Sequence, residues 1–328
     1  MSAPDDPTVA DLSEDAILAR IFPHLPQAPG TVVPPGDDAA VVRAQDGRVV
    51  VSTDVLVEGQ HFRREWSSGA DVGWRAAAQN LADIAAMGAR PTALVVALVA
   101  PADLPGSWVE GLARGLASAC GPHGAGVVGG DLSGGPVVVV SVTVLGDLEG
   151  RAPVLRSGAR PGDVVAHAGV RGRSAAGLAL LGACLPDLDP ALVAAYLRPD
   201  PPIGAGADAA ASGATAMLDV SDGLLRDAGR IAAASGVRID LDPVDEAFGE
   251  DLARVSAAAR AVGADPRAWV LAGGEDHGLL ATFPAGTPLP TPFRVVGRVL
   301  AAPEDGPAVT VDGGAPDVDG VGWDHFAR

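Results

Sequence analysis

The sequence predicts an α/β or α+β fold in two domains. Apolar β-branched runs alternate with amphipathic helical patterns, a Gly-, Pro- and Arg-rich break divides the chain near its middle, and the motifs on either side of the break follow a similar order. The 328 residues agree with a prior of about 150 residues per domain. The expected domains are 1–148 and 149–328.

Taken in order, residues 1 to about 30 read as a polar lead-in and a short helix, with Ser13 as N-cap before "EDAILARIF". Strand-like runs follow at Ala39–Val42 and Val49–Ser52. "DVGWRAAAQNLADIAAMGA" has a helical period that places Trp74, Ala78, Leu81 and Ala85 on one face. Two strands, "TALVVALV" and "PVVVVSVTVLG", flank the helix "SWVEGLARGLASAC". The break is "GDLEGRAPVLRSGARPGD", Gly146 to Asp163. Beyond it come the strand "VVAHAGV", the helix "SAAGLALLGA" and the loop "RPDPPIGAG". In the first half "VVVSTDVL" precedes a helix and then "VVGGD" before a strand; in the second "AMLDVSDGLL" precedes a helix and then "LAGGED" before a strand.

Composition excludes several functions. Hydrophobic residues at 48% suffice for a core, but aromatics at 4% leave most of the packing to Ala, Val and Leu. A net charge of −18 repels nucleic acid and anionic membrane, so neither is an expected partner. There is no lysine, so a phosphate-loop lysine and a protein-kinase strand lysine are both excluded. Cys120 and Cys184 lack CxxC spacing and read as reduced, buried thiols of a cytoplasmic protein. The acidic start lacks an apolar signal core, and the apolar runs are too short to span a bilayer.

The chemistry lies in carboxylates beside apolar runs or glycine pairs. Asp37 and Asp38 follow Gly36, Asp54 closes "VVVSTD", Asp131 closes "VVGGD", and Asp219 and Asp222 lie in "MLDVSDGLL". Asp83 sits in a helix about 180° from Trp74, on the side of Asn80 and Met87. Singly, each has a bland reading: a surface turn, a solvated helix face, or a helix cap from Ser221 or Asp222. Jointly they strain it, because unpaired buried charge is costly and few arginines lie nearby. A divalent cation is the natural counter-charge, and oxygen donors favour Mg²⁺ over zinc. Ser52, Thr53 and Asp54 would then offer metal oxygens at a strand terminus.

"PGDDAAVV", "STDVLVEGQHF", "NLADIAAMGARP", "VVGGD", "LDVSDGL", "GGEDHGLL" and "GWDHF" stand in one order from Gly36 to Phe326. Together they resemble the thiamine-monophosphate kinase family, of the aminoimidazole ribonucleotide synthetase-like superfamily. The resemblance implies two α/β domains, a homodimer whose N-terminal strands form a shared barrel, and transfer of phosphate from ATP to thiamine monophosphate. It implies Asp38, Ser52, Thr53, Asp54, Asp83, Asp131, Asp219 and Asp222 as ligands of several Mg²⁺ ions, with Asp54, Asp83 and Asp131 central to catalysis. Gly130, Asp131, Arg156 and Ser221 would bind ATP; His61, Glu275 and Trp323 would contact thiamine phosphate. A family aromatic at the nucleotide falls on Ala113, Pro202 stands where the family often has Arg, and the usual Gly-Glu-Phe start is absent.

Such a transfer needs no general base, because the accepting phosphate oxygen is already ionised, and no Ser/His/Asp or Cys/His arrangement is recognisable. Two other readings compete with this one. A related synthetase of the superfamily lacks support, since the selenium enzyme's N-terminal Cys and Lys and the hydrogenase-maturation enzyme's Cys-bearing tail have no counterpart. An acidic metal-binding protein without turnover is weakened by the absence of a DxDxDG calcium loop.

Overall fold

The computed structural model describes residues 6–34, 39–304, 306 and 308–324. The chain folds as two units, Met1–Ile84 with Arg90–Glu149, and Ala85–Ala89 with Gly150–Arg328.

In the first unit α1 (Glu14–Ile21) starts at Ser13, whose Oγ accepts the Ala16 N–H at 3.2 Å. The short strands β1 (Thr31–Val33) and β2 (Val41–Val42) pair with each other. The main sheet comprises β3 (Val50–Val57), β4 (Arg90–Ala100), β5 (Gly126–Gly134) and β6 (Val139–Asp147), in the order β3-β6-β4-β5. Helix α3 (Gly106–Cys120) and helix α2 (Gly69–Ala86) as far as Ile84 belong to the same unit. A reciprocal capping box starts α2, with Ser68 and Asp71 bonding each other's backbone N–H. The two helices touch backbone to backbone. A Cβ on Gly73 would lie 2.1 Å from the Leu112 carbonyl, and one on Gly115 would lie 2.1 Å from the Ala70 carbonyl.

Two expectations are corrected here. The strand expected to end at Ser52 continues to Val57, because β6 pairs with it residue for residue. "VVGGD", expected to precede a strand, is itself strand β5, paired parallel to β4. In both cases a neighbouring strand supplies hydrogen bonds that no local pattern records.

The second unit contains β7 (Val164–Ala168), α4 (Arg173–Gly182), α5 (Pro190–Leu197), α6 (Ile203–Ala211), β8 (Ala216–Val220), α7 (Leu224–Ser235) and β9 (Val237–Leu241). Then come α8 (Val244–Ala247), α9 (Gly249–Val262), α10 (Pro266–Ala272), β10 (Gly278–Phe283), β11 (Arg294–Ala301) and β12 (Ala308–Val311). Its sheet runs β12-β9-β11-β7-β10-β8, antiparallel except for β12 beside β9. Helix α7 packs Leu224, Leu225, Ala228, Ile231 and Ala232 onto the sheet, a helical repeat that leaves Arg226 and Arg230 on the other side.

The mixed sheets with helices packed on them match the expected fold class. Among the described residues no helix is long and apolar enough to cross a membrane. Cys120 is buried as expected, and burial pushes its thiol up to about 12. Cys184 is exposed, contrary to expectation; it follows α4 in a left-handed conformation.

Candidate functional site

Side chains alternate faces along β3. Ser52 and Asp54 share one face, and Val51, Thr53 and Val55 the other. Ser52 Oγ donates to Asp83 Oδ2 at 2.7 Å, so the helix carboxylate points at the strand rather than at solvent. Most of α2 is buried, and no wide solvent face exists for Asp83 to occupy. Thr53 is turned away from this group: its hydroxyl donates to the Val142 carbonyl at 2.9 Å and accepts from Thr143 at 3.2 Å. Three consecutive oxygen-bearing side chains inside a strand cannot all reach one ion. The Thr53 hydroxyl therefore faces away from Ser52 and Asp54 and is not brought together with them.

Asp131 is also apart from Asp54 within this chain. Across the sheet Asp54 lies opposite Val142, Val142 opposite Val96, and Val96 opposite Gly130, which precedes Asp131. Three inter-strand spacings amount to about 14 Å. Asp38 lies outside the described residues. Among the described residues no three Asp, Glu, His or Cys side chains gather as a metal cluster. What the first unit does bring together is the Asp83 carboxylate and the Ser52 hydroxyl, with Asp54 two residues along on the same strand face.

Beside β5 the same unit holds a cavity of about 640 Å³, lined by Leu18, Phe22, Ala113, Leu116, Val128, Gly130 and Asp131 among others. Its wall is chiefly aliphatic, with Glu14 and Asp131 as its carboxylates. His61 lies at the end of β3, where its Nδ1 accepts the Val57 N–H at 3.0 Å; the ring proton therefore sits on Nε2.

In the second unit the expected metal ligands have protein counter-charges. Asp219, buried within β8, meets His277 Nδ1 at 3.2 Å, and His277 Nε2 lies 3.8 Å from Glu275. Burial disfavours the charged imidazole, but the hydrogen bond to Asp219 and the neighbouring Asp219 and Glu275 charges outweigh it and raise His277 to about 10. Asp222 pairs with Arg230 at 2.6 Å and Arg226 at 3.8 Å. The premise that few arginines lie near these carboxylates therefore fails. Spacings of four and eight residues bring Arg226 and Arg230 back to the start of α7.

The bland alternative of a helix cap from Ser221 or Asp222 is not what the start of α7 shows. Neither Ser221 nor Asp222 supplies it; Asp227 accepts the N–H groups of Asp222 and Gly223 at 3.0 and 3.2 Å and pairs with Arg230 at 2.5 Å. Burial pushes Asp227 up to about 6, with Arg230 opposing.

Glu275 stands in a loop held from beneath. Its N–H donates to the Ser221 carbonyl at 2.7 Å, and its backbone has φ of 70°. The fully buried Arg171 donates to the carbonyls of Val270 and Gly273, and lies 3.9 Å from Asp276. Asp276 in turn accepts the N–H groups of Gly172 and Ser174. Arg156 is exposed and Ser221 half-buried. Trp323, 60% exposed, is tied by its N–H to the Asp222 carbonyl at 2.8 Å. Sequence reasoning missed Arg171, Arg226, Arg230, Asp227 and His277. His277 stands inside "GGEDHGLL", and the two α7 arginines follow Asp222 at helical spacing, so those signals were present.

Residues 36–148 match the family model "AIR synthase related protein, N-terminal domain", and residues 160–283 the corresponding C-terminal domain model. A thiamine-monophosphate kinase of Mycobacterium tuberculosis (strain CDC 1551 / Oshkosh) is 51% identical over 99% of this chain and 95% of its own length. One from Corynebacterium glutamicum is 43% identical over 98% and 96%. A solved structure described as AaThiL complexed with AMPPCP and TMP superposes with a TM-score of 0.77 at 35% identity, over 88% of this chain and 91% of that one.

Proposed function

The chain belongs to the thiamine-monophosphate kinase family, and on that premise we propose that it phosphorylates thiamine monophosphate with ATP. The observation that carries the reading is 51% identity to a thiamine-monophosphate kinase over nearly the whole of both chains. The terminal phosphoryl group of ATP passes to a phosphate oxygen of thiamine monophosphate; the bond to the β-phosphate breaks, and ADP leaves. The accepting oxygen is already anionic, so positioning and charge neutralisation matter more than proton transfer.

Within the first unit, Ser52, Asp54 and Asp83 fit Mg²⁺: all offer hard oxygen donors, and such sites take one or two carboxylates and leave other positions to water and substrate phosphates. When bound, the cation supplies neutralisation of phosphate charge. Ser52 keeps the Asp83 carboxylate oriented, and Asp54 presents a second carboxylate from the same strand face. The aliphatic cavity beside Gly130 and Asp131 takes the nucleobase, with Ala113 in its wall. In the second unit, Arg156 and Ser221 are proposed for ATP, and Asp219 and Asp222 would serve a cation only by exchanging His277 and the arginines for it. Thr53, Asp131 and Asp38 keep their proposed metal roles on the family resemblance alone. His61, Glu275 and Trp323 are proposed for thiamine phosphate.

The proposed assembly is a homodimer. Val49, Val51, Val55 and Val95 are 49%, 62%, 45% and 40% exposed. Those of β3 and β4 lie on one sheet face by register, and an apolar patch of that kind suits a second copy. The free thiols support the cytoplasmic placement expected from the sequence. The test is release of ADP on adding thiamine monophosphate, with thiamine diphosphate identified by mass. No ADP above the ATP-only control overturns the reading.

A further inference from the structure

Residues 318–324 run back across the start of α7. Val318 packs against the core of the second unit, and beyond it the backbone joins the α7 entry through two hydrogen bonds. Arg226 N–H donates to the Val321 carbonyl at 2.9 Å, and Trp323 N–H donates to the Asp222 carbonyl at 2.8 Å. The approach is close enough to demand glycine: a Cβ on Gly322 would lie 2.4 Å from the Asp222 carbonyl oxygen. Gly322 also has φ of 141°, which L side chains rarely adopt.

One side chain bridges the two strips. Arg226 Nη2 donates to Asp324 Oδ2 at 3.0 Å, while its Nε lies 3.8 Å from Asp222. Asp222 already has the shorter contact to Arg230, at 2.6 Å, so Arg226 directs its hydrogen bond to Asp324. The ion pair closes on the residue next to Trp323, whose indole is left largely exposed. Bond, close contact and ion pair all act on the backbone that carries this one aromatic side chain.

We infer that Arg226 is a positioning residue: with Asp324 it latches Trp323 onto the loop bearing Asp222, and so sets the face offered to the thiamine moiety. The inference rests on the proposed function, in which Trp323 meets the substrate. A latch acts on the geometry of Trp323 without touching ATP, and this separates it from a purely stabilising ion pair.

The test uses Arg226→Gln, Arg226→Lys, Asp324→Asn and the double variant Arg226→Gln/Asp324→Asn in the full chain. Hydrogen exchange at the Trp323 amide should quicken about two- to five-fold in the two charge-removing variants, the factor expected of a partly exposed ion pair. Amides in the body of α7 should keep their rates. In steady-state kinetics Asp324→Asn, which leaves the Arg226 charge beside Asp222 in place, should raise KM for thiamine monophosphate by a similar factor, with kcat and KM for ATP unchanged. Arg226→Lys should stay near the parent, and the double variant should be no worse than either single one, because both remove the same contact. Equal rises in both KM values, additive losses in the double variant, or unchanged exchange at Trp323 would overturn the latch. A parent protein without kinase activity would instead overturn the proposed function, and the exchange measurement alone would then decide the latch.

Discussion

At the residue scale, the electrostatics depend on which partner each carboxylate finds. Asp83 finds a serine hydroxyl on the strand that faces α2. Asp83→Asn keeps the shape and the hydrogen bond but removes a charge. A cation at such a site contributes several kcal/mol of charge stabilisation, so kcat should fall by about 100-fold or more. Activity titrated against Mg²⁺ checks this, and an unchanged kcat at limiting Mg²⁺ would remove Asp83 from the site.

Asp189 is a contrasting, purely structural carboxylate. It caps α5 and takes a two-pronged hydrogen bond from Arg254 of α9, at 2.6 and 2.9 Å. That bond to Arg254, foremost, holds its carboxyl below the ordinary 3.8. A depressed carboxylate contributes stability above the unfolded pKa and loses it as pH falls through the folded one. Asp189→Asn should therefore cost about 1 kcal/mol at pH 7 and progressively less below pH 4. Urea midpoints at pH 7 and pH 3 measure the difference; an equal cost at both would show that the charge is idle.

At the element scale, the nucleobase reading depends on the cavity between α1, α3 and β5. Its wall at Ala113 is a methyl group, where the resembled family places an aromatic. Ala113→Phe should add a ring face for a base to stack on, worth about 0.5–1.5 kcal/mol, and lower KM for ATP by about 2- to 10-fold. KM for thiamine monophosphate should not move. A raised KM for ATP would mean that the ring fills space the base needs, or that the base lies elsewhere. The elements themselves were largely legible. Ser13 before α1 and the helical period of α2 and α3 are local signals, read correctly from composition and spacing. The length of β3 and the strand character of "VVGGD" were not, because each is set by a partner strand distant in the chain.

At the scale of the whole molecule, an exposed row of valines on a sheet needs a cover in water. Val51→Lys places a charge in the middle of that face, where burial without a partner costs several kcal/mol. Light scattering at micromolar concentration should give a dimer for the parent and a monomer for the variant. A monomeric parent with full activity would end the dimer proposal. No change in the variant would move the interface to another surface.

The amino-acid sequence by itself determined the fold class, the elements with strong local periodicity, and the family to which the chain belongs. Each follows from short-range pattern: alternation, helical spacing, and motifs standing in one order. Tertiary structure decided the partners of the carboxylates. Strand alternation turned Thr53 away from Ser52 and Asp54, and strand order placed Asp131 at the opposite edge from Asp54. Helix α7 returned two arginines to Asp222, while β8 and β10 brought His277 to Asp219. A charge is satisfied by whatever lies within a few ångströms of it, and such neighbours are fixed by the packing of distant segments, so spacing along the chain could not reveal them.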